Sequence, residues 1–65
     1  MRELLEKAGK NIKHYRLQKG ISQEKLEYET GIAISQCESG KRNITLSTLG
    51  ILSKHLNIEP WDLLK

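Results

Sequence analysis

The sequence predicts an all-α protein, a compact bundle of five short helices within 65 residues. Apolar residues recur three and four positions apart, which is the spacing of one helical face, and no segment shows the alternation of a half-buried strand. Glycines and capping residues divide the chain into short helical segments. A chain of this length buries one modest core, so residues 1–65 are expected to form a single domain.

The first helix is predicted from the N-terminus to about Lys19, with Gly20 as its end. Its apolar face combines the residues Leu4, Leu5, Ala8, Ile12 and Tyr15. Gly9 lies inside this segment and is expected to weaken the helix locally, because glycine has a low helix propensity.

A helix-turn-helix is predicted at about residues 22–39. Ser22 can cap the second helix, Leu26 is its main apolar anchor, and Gly31 can end it in the left-handed conformation. The third helix is predicted between about Ile32 and Ser39, and it closes at Gly40.

The last two helices are predicted from caps and from one leucine stripe. Thr45 can cap the fourth helix, whose inward face is the stripe Leu46, Leu49, Leu52 and Leu56. Glu59 can cap a final turn with Pro60 at its first position, where the missing N–H costs nothing. Trp61, Leu63 and Leu64 then need apolar cover.

Composition excludes several classes of protein. The formal charge of +3 and the pI of about 9.2 fit a polyanionic partner. No stretch approaches the ~20 apolar residues of a membrane span, and the first residues lack the apolar core of a signal peptide, so a soluble, cytoplasmic protein is expected. The single cysteine, Cys37, has no partner for a disulfide or a metal site. No catalytic set, cofactor motif or small-molecule site is evident, and we expect no enzyme activity, cofactor or metal.

Two short helices separated by a glycine turn suit insertion of the second helix into a DNA major groove. In order and spacing, the segments Ile21–Leu26, Ile34–Gly40 and the later leucines resemble the phage-repressor (Xre/Cro type) helix-turn-helix family. The stretch Gly40–Thr45 is similar to restriction-modification controller proteins. This resemblance implies a lambda-repressor-like fold and a homodimeric transcriptional regulator, a repressor or controller, that binds specific sequences in double-stranded DNA.

Candidate contacts with DNA fall into two groups. Gln23 lies in the first turn of the second helix, where backbone amides and the helix dipole favour a phosphate. The loop Lys41, Arg42 and Asn43 offers two cations and further phosphate contacts. Base contacts are predicted for Ser35, Gln36 and Ala33 on the third helix, since Gln can bond adenine bidentately and Ser suits several base edges.

Two further pairs follow from the resemblance. Arg16 and Glu38 resemble the family's partly buried ion pair, which joins the first helix to the third and has a structural role. A small domain has little room to bury an indole near its C-terminus, so the apolar body of Trp61 is expected to meet the first helix or a second subunit. The resemblance implies dimerisation through the last helix, which places Trp61 and Leu64 at a dimer interface.

The sequence departs from the family at two places. About three residues are missing between Gly31 and Glu38, nearly one helical turn. Either Ile34 and Ser35 occupy mid-helix positions, so that residues 31–33 form the reading end, or residues 31–36 are intact and Ile34 and Gln36 read bases.

Glu27 replaces a small alanine of the family. Its carboxylate must reach solvent, hold the helices apart or find a cation, for which the candidates are Arg16, Lys25 and Lys41. The alternative function is therefore a protein-interaction module, or an antitoxin-like partner, with weakened DNA reading.

Overall fold

The computed structural model describes all 65 residues as four α-helices and one 3₁₀ helix, without strands. The elements are α1 (Arg2–Gln18), α2 (Gln23–Thr30), α3 (Ile34–Glu38), α4 (Leu46–Leu56) and the 3₁₀ helix Pro60–Leu64. The all-α prediction is confirmed, but the count of five α-helices is wrong, because the short segment after Pro60 makes only a 3₁₀ helix. No helix is both long enough and apolar enough to cross a membrane.

Local capping signals account for most helix ends. Ser22 Oγ accepts a hydrogen bond from the Lys25 N–H at 3.0 Å, and Thr45 Oγ1 accepts one from the Thr48 N–H at 3.1 Å. Each hydroxyl satisfies an amide that has no partner inside its helix. Gly31 ends α2 with a φ of 73°. These caps lie where the sequence predicts them.

The helix α3 is shorter than predicted and begins two residues later, at Ile34. The chain before it is held in a turn by Thr30, whose hydroxyl accepts from the Ile32 N–H at 3.2 Å and donates to the Leu26 carbonyl at 2.8 Å. At the other end, Gly40 adopts a φ of 76°. The Gly40 and Lys41 amides bond back to the Cys37 and Gln36 carbonyls, which closes α3 with a Schellman motif.

The core lies where all five elements meet. Its members are Ile12, Leu26, Ile34, Cys37, Leu49, Leu52, Leu56 and Leu63. The C-terminal 3₁₀ helix is fixed to α1 by Asn11, whose side-chain amide donates to the Leu63 carbonyl at 2.9 Å. The predicted inward face of α1 is only partly covered, because Leu5 and Tyr15 are half-buried and Leu4 is exposed.

At Gly9, the backbone of α3 lies directly against α1. A Cβ atom on this residue would lie 2.5 Å from the Cys37 carbonyl oxygen and 2.6 Å from that of Glu38. The sequence indicates only a local weakness of α1 here. In the fold, the missing side chain lets the end of α3 rest directly on α1.

Candidate nucleic-acid interface

The short helix α3 presents two polar side chains to solvent. Ile34 and Cys37 are buried in the core, and Ser35 and Gln36 are exposed, as their helical spacing predicts. Because Ile34 is fully buried, it cannot touch a base edge, and the alternative in which Ile34 reads bases is wrong. Ala33 is half-buried at the N-cap of α3.

A buried ion pair joins α1 to α3. Arg16 Nε donates to Glu38 Oε2 at 2.6 Å and Arg16 Nη2 to Oε1 at 3.3 Å, with 8% and 4% of the two side chains exposed. Arg16 Nη1 also donates to the Ile21 carbonyl at 2.7 Å, just before α2. One guanidinium on α1 therefore binds the turn before α2 and, through a bidentate, charge-assisted pair, the end of α3.

Gln23 contacts α3 as well as lying at the start of α2. Its Nε2 donates to Glu38 Oε1 at 2.7 Å, so Glu38 accepts hydrogen bonds from both α1 and α2. The sequence does not predict this contact. The amide still has a second N–H and its carbonyl oxygen, and the phosphate contact of Gln23 stays a prediction.

The loop after α3 is basic and open to solvent. Lys41, Arg42 and Asn43 are all exposed and follow directly from the Schellman motif that ends α3. Burial raises the pKa of the Cys37 thiol, and the nearby positive charge of Arg42 opposes this rise. The loop thus presents two exposed cations directly after α3, and their contacts with phosphates stay a prediction.

Glu27 finds none of the three cations proposed for it. Its Oε1 accepts a hydrogen bond from the backbone N–H of Ile34, the first residue of α3, at 3.3 Å. The residue is exposed and lies in an open groove between α2 and α3. This groove is lined by Gln23, Glu24, Glu27, Tyr28, Gly31 and Ser35. The only sequence signal for this contact is Ala33, which offers no capping oxygen of its own.

The two predicted dimer residues lie near the C-terminus and are partly exposed, 59% for Trp61 and 38% for Leu64. Leu64 lines an apolar hollow of about 200 Å³ that is formed by α1, the loop before α4, α4 and the 3₁₀ helix, and Trp61 does not line it. The hollow is lined by Met1, Leu4, Leu5, Ala8, Ile44, Leu46, Leu49 and Leu64. No polar side chain lines the hollow, so it is an apolar surface that is exposed to solvent.

No three His, Cys, Asp or Glu side chains come together in a group that could hold a metal ion. His14 and His55 are exposed and far from Cys37 in the sequence, and Cys37 itself is buried. The side chains brought together between α2 and the loop after α3 are suited to hydrogen bonding and to charge neutralisation, and they include no activated nucleophile.

Comparison with known proteins identifies relatives that match this chain over most of its length. The control protein C.BamHI from Bacillus amyloliquefaciens is 40% identical over 60 residues, which cover 86% of this chain and 74% of that protein. The crystal structure of the restriction-modification controller protein C.AhdI from Aeromonas hydrophila has a TM-score of 0.84 at 35% identity, covering 91% of this chain and 94% of that one.

The DNA-binding domain of BldD has a TM-score of 0.88 at 21% identity, covering 100% of this chain and 99% of that domain, and this likeness concerns the fold. A family model described as helix-turn-helix (HTH_3) matches residues 12–63. Since this match spans all of α2, α3 and α4 together with the Arg16–Glu38 pair, the chain belongs to the helix-turn-helix family.

Proposed function

We propose that this protein is a small transcriptional regulator that binds a specific sequence in double-stranded DNA as a homodimer. The observation that carries the proposal is that α3 exposes Ser35 and Gln36 and that the loop directly after α3 exposes Lys41 and Arg42. Side chains suited to base edges and cations suited to phosphates thus lie on α3 and on the loop that follows it, and a protein that binds the major groove uses both kinds of contact. The names of its relatives, control and controller proteins, describe the same kind of activity.

The buried ion pair supports this function by fixing the angle of α3. A helix of five residues has little intrinsic stability and depends on tertiary contacts. The Arg16–Glu38 pair and the Gln23 amide hold its C-terminal end against α1 and α2. In the proposed complex, Gln23 contacts a phosphate with its remaining amide groups, Asn43 contacts another, and Ala33 approaches the base edges from the start of α3.

For the homodimer, we assign the contact to the apolar hollow at Leu64, whose lining is entirely hydrophobic. Leu46 lines the same hollow and is 85% exposed, and Trp61 adds a large apolar area near it in sequence. In a symmetric dimer this patch meets its own copy, and the two copies of α3 enter half-sites about 34 Å apart.

A selection of bound sequences from a random duplex pool, at moderate salt, tests the function. We expect an enriched inverted repeat. A sedimentation measurement of the same sample gives the oligomeric state. A folded protein that enriches no sequence would contradict DNA reading and favour the alternative, a protein-interaction module. Two observations support that alternative: Glu24 and Glu27 make the groove acidic, and α3 is short.

The phosphate assignment is tested by Arg42→Ala. Each lost phosphate contact reduces counterion release, so the variant should bind every duplex more weakly and lower the slope of log K against log salt by about one unit. Lys54→Ala is the matched control, because Lys54 is exposed in α4 and lines a hollow that contains no residue of α2, α3 or the loop after α3. A loss confined to the selected site would contradict the assignment.

The dimer surface is tested by Leu46→Glu and Trp61→Ala. A charge in an apolar interface should raise the dimer dissociation constant by about tenfold or more. Leu17→Glu is the matched control, since Leu17 is 58% exposed near the C-terminal end of α1 and does not line the hollow. Equal dissociation constants for the Leu46 and Leu17 variants would place the interface elsewhere.

A further inference from the structure

The N-terminal end of α3 is capped by a side chain of another helix. Ala33, at the N-cap position, makes no side-chain hydrogen bond to the helix. The Ile34 N–H instead donates to Glu27 Oε1, which belongs to α2, at 3.3 Å. The first amides of a helix have no partner within it, and a negative charge is favourable beside them. Glu27 therefore supplies from α2 the acceptor that residue 33 lacks.

This contact matters because α3 is held by few groups. Its C-terminal end is fixed by three hydrogen bonds to Glu38, and its inner face by the buried side chains of Ile34 and Cys37. At its N-terminal end, the Glu27 carboxylate is the side chain that bonds to it. Ser35 follows the capped amide by one residue and lines the same groove as Glu27.

We propose that Glu27 is a positioning residue for DNA reading: its carboxylate fixes the start of α3 and thereby the direction in which Ser35 and Gln36 meet the bases. This inference rests on the proposed function. It also explains why a carboxylate is tolerated on this face, where its charge opposes phosphates. Glu27 lowers affinity for every duplex through its charge, and it raises discrimination between duplexes through its hydrogen bond.

These two effects can be separated because the chain offers a matched control. Glu24 lies in the same groove and on the same helix, and it makes no side-chain hydrogen bond to α3. Glu24→Ala therefore removes the same charge without removing a cap. Glu27→Gln removes the charge but keeps a carbonyl oxygen that can accept from the Ile34 N–H. Glu27→Ala removes both.

The experiment measures dissociation constants of the full chain and the three variants for the selected site and for a scrambled duplex of equal length. The temperature is one at which circular dichroism shows all four proteins folded. We call the dissociation constant for the scrambled duplex divided by that for the selected site the discrimination ratio. We expect Glu24→Ala and Glu27→Gln to bind both duplexes more tightly by similar factors, so that the discrimination ratio of each variant stays at the wild-type value. For Glu27→Ala, we expect tighter binding of the scrambled duplex and a discrimination ratio reduced by about tenfold.

A second measurement does not depend on DNA. Amide hydrogen exchange should become faster in Glu27→Ala at Ile34, whose N–H donates to Glu27, and at Cys37, whose N–H donates to the Ala33 carbonyl. It should stay unchanged in Glu24→Ala, because only the first variant frees the start of α3. Unchanged exchange in Glu27→Ala would overturn the cap itself. Equal discrimination ratios for Glu27→Ala and Glu24→Ala would overturn the positioning role alone, whereas a wild-type ratio near one would overturn the proposed function and, with it, this role.

Discussion

Replacement of Glu38 by alanine is expected to remove a large part of the stability of this protein. The carboxylate accepts hydrogen bonds at 2.6 and 3.3 Å from Arg16 and at 2.7 Å from Gln23. With 8% of the Arg16 side chain exposed, the guanidinium left behind has little access to water. Removing one partner of a buried pair costs about 3–5 kcal/mol, because the other charge stays buried without compensation.

This loss is large relative to the whole. At roughly 0.05–0.15 kcal/mol per residue, a chain of this length has a free energy of unfolding of about 3–10 kcal/mol. Each kcal/mol shifts the Tm of such a small domain by about 4–8 °C, so Glu38→Ala should lower the Tm by at least about 12 °C. Glu24→Ala, an exposed carboxylate on α2, should change stability by about 0.5 kcal/mol or less.

Thermal and urea unfolding followed by circular dichroism give the comparison. If Glu38→Ala is too unstable to show a folded baseline, Glu38→Gln replaces it, since the amide keeps the shape and an acceptor while it loses the charge. We expect Glu38→Gln to lower the Tm well below that of Glu24→Ala, because the Arg16 guanidinium loses its negative partner and the new NH2 group faces an N–H donor. Similar small changes in Tm for the Glu38 and Glu24 variants would refute the reasoning that the pair is buried and structural.

Three other predictions concern the packing and the titrating groups. Gly9→Ala should lower the Tm despite the better helix propensity of alanine, because its Cβ would lie 2.5 Å from the Cys37 carbonyl oxygen; Gly50→Ala, with nothing within 4 Å, should raise it. The Cys37 thiol is buried, and burial raises its pKa, so at pH 8 it should react with a thiol reagent only as fast as the protein opens. The stability that the buried neutral thiol contributes should be lost as the pH rises above 9.0, the ordinary pKa of a cysteine. Reaction at the rate of a free thiol would contradict the burial of Cys37. Hydrogen bonds from Lys65 and from the Glu59 backbone N–H lower the pKa of Asp62 in the folded protein. The stability that the Asp62 carboxylate contributes is therefore present above pH 3.8 and is lost as the pH falls through the pKa of the folded state. An NMR titration midpoint of Asp62 at or above 3.8 would contradict those hydrogen bonds.

The sequence predicts the features that depend on near neighbours in the chain. Ser22 and Thr45 cap helices that begin beside them, and the inward placement of Ile34 and Cys37 follows from their separation by one helical turn. The contact between Arg16 and Glu38 spans two helices, and it was expected from the resemblance to a family. No rule of spacing within one helix would have indicated it.

The features that sequence reasoning misses depend on how helices meet. The Ile34 N–H at the start of α3 donates to a carboxylate from α2, whereas the sequence leaves that carboxylate to reach solvent, to find a cation or to hold the helices apart. Periodicity places Leu4 on the apolar face of α1, but it cannot tell that no neighbouring helix reaches far enough to cover it. Gly9 shows the same limit, because low helix propensity is a local property and the close approach of α3 is not.

Ala8 and Gly9 are adjacent on α1, and they contact two different parts of the molecule. Ala8 lines the apolar hollow that we assign to the second subunit, and Gly9 touches the backbone of α3. In the proposed dimer, α1 would thus contact both the second subunit and the helix that reads DNA. If this shared helix fixes α3 relative to the second subunit, the spacing of the two half-sites is restricted. An operator with one extra base pair between its half-sites, which rotates one of them by about 34°, should then be bound more weakly, because the DNA has to twist to restore both contacts.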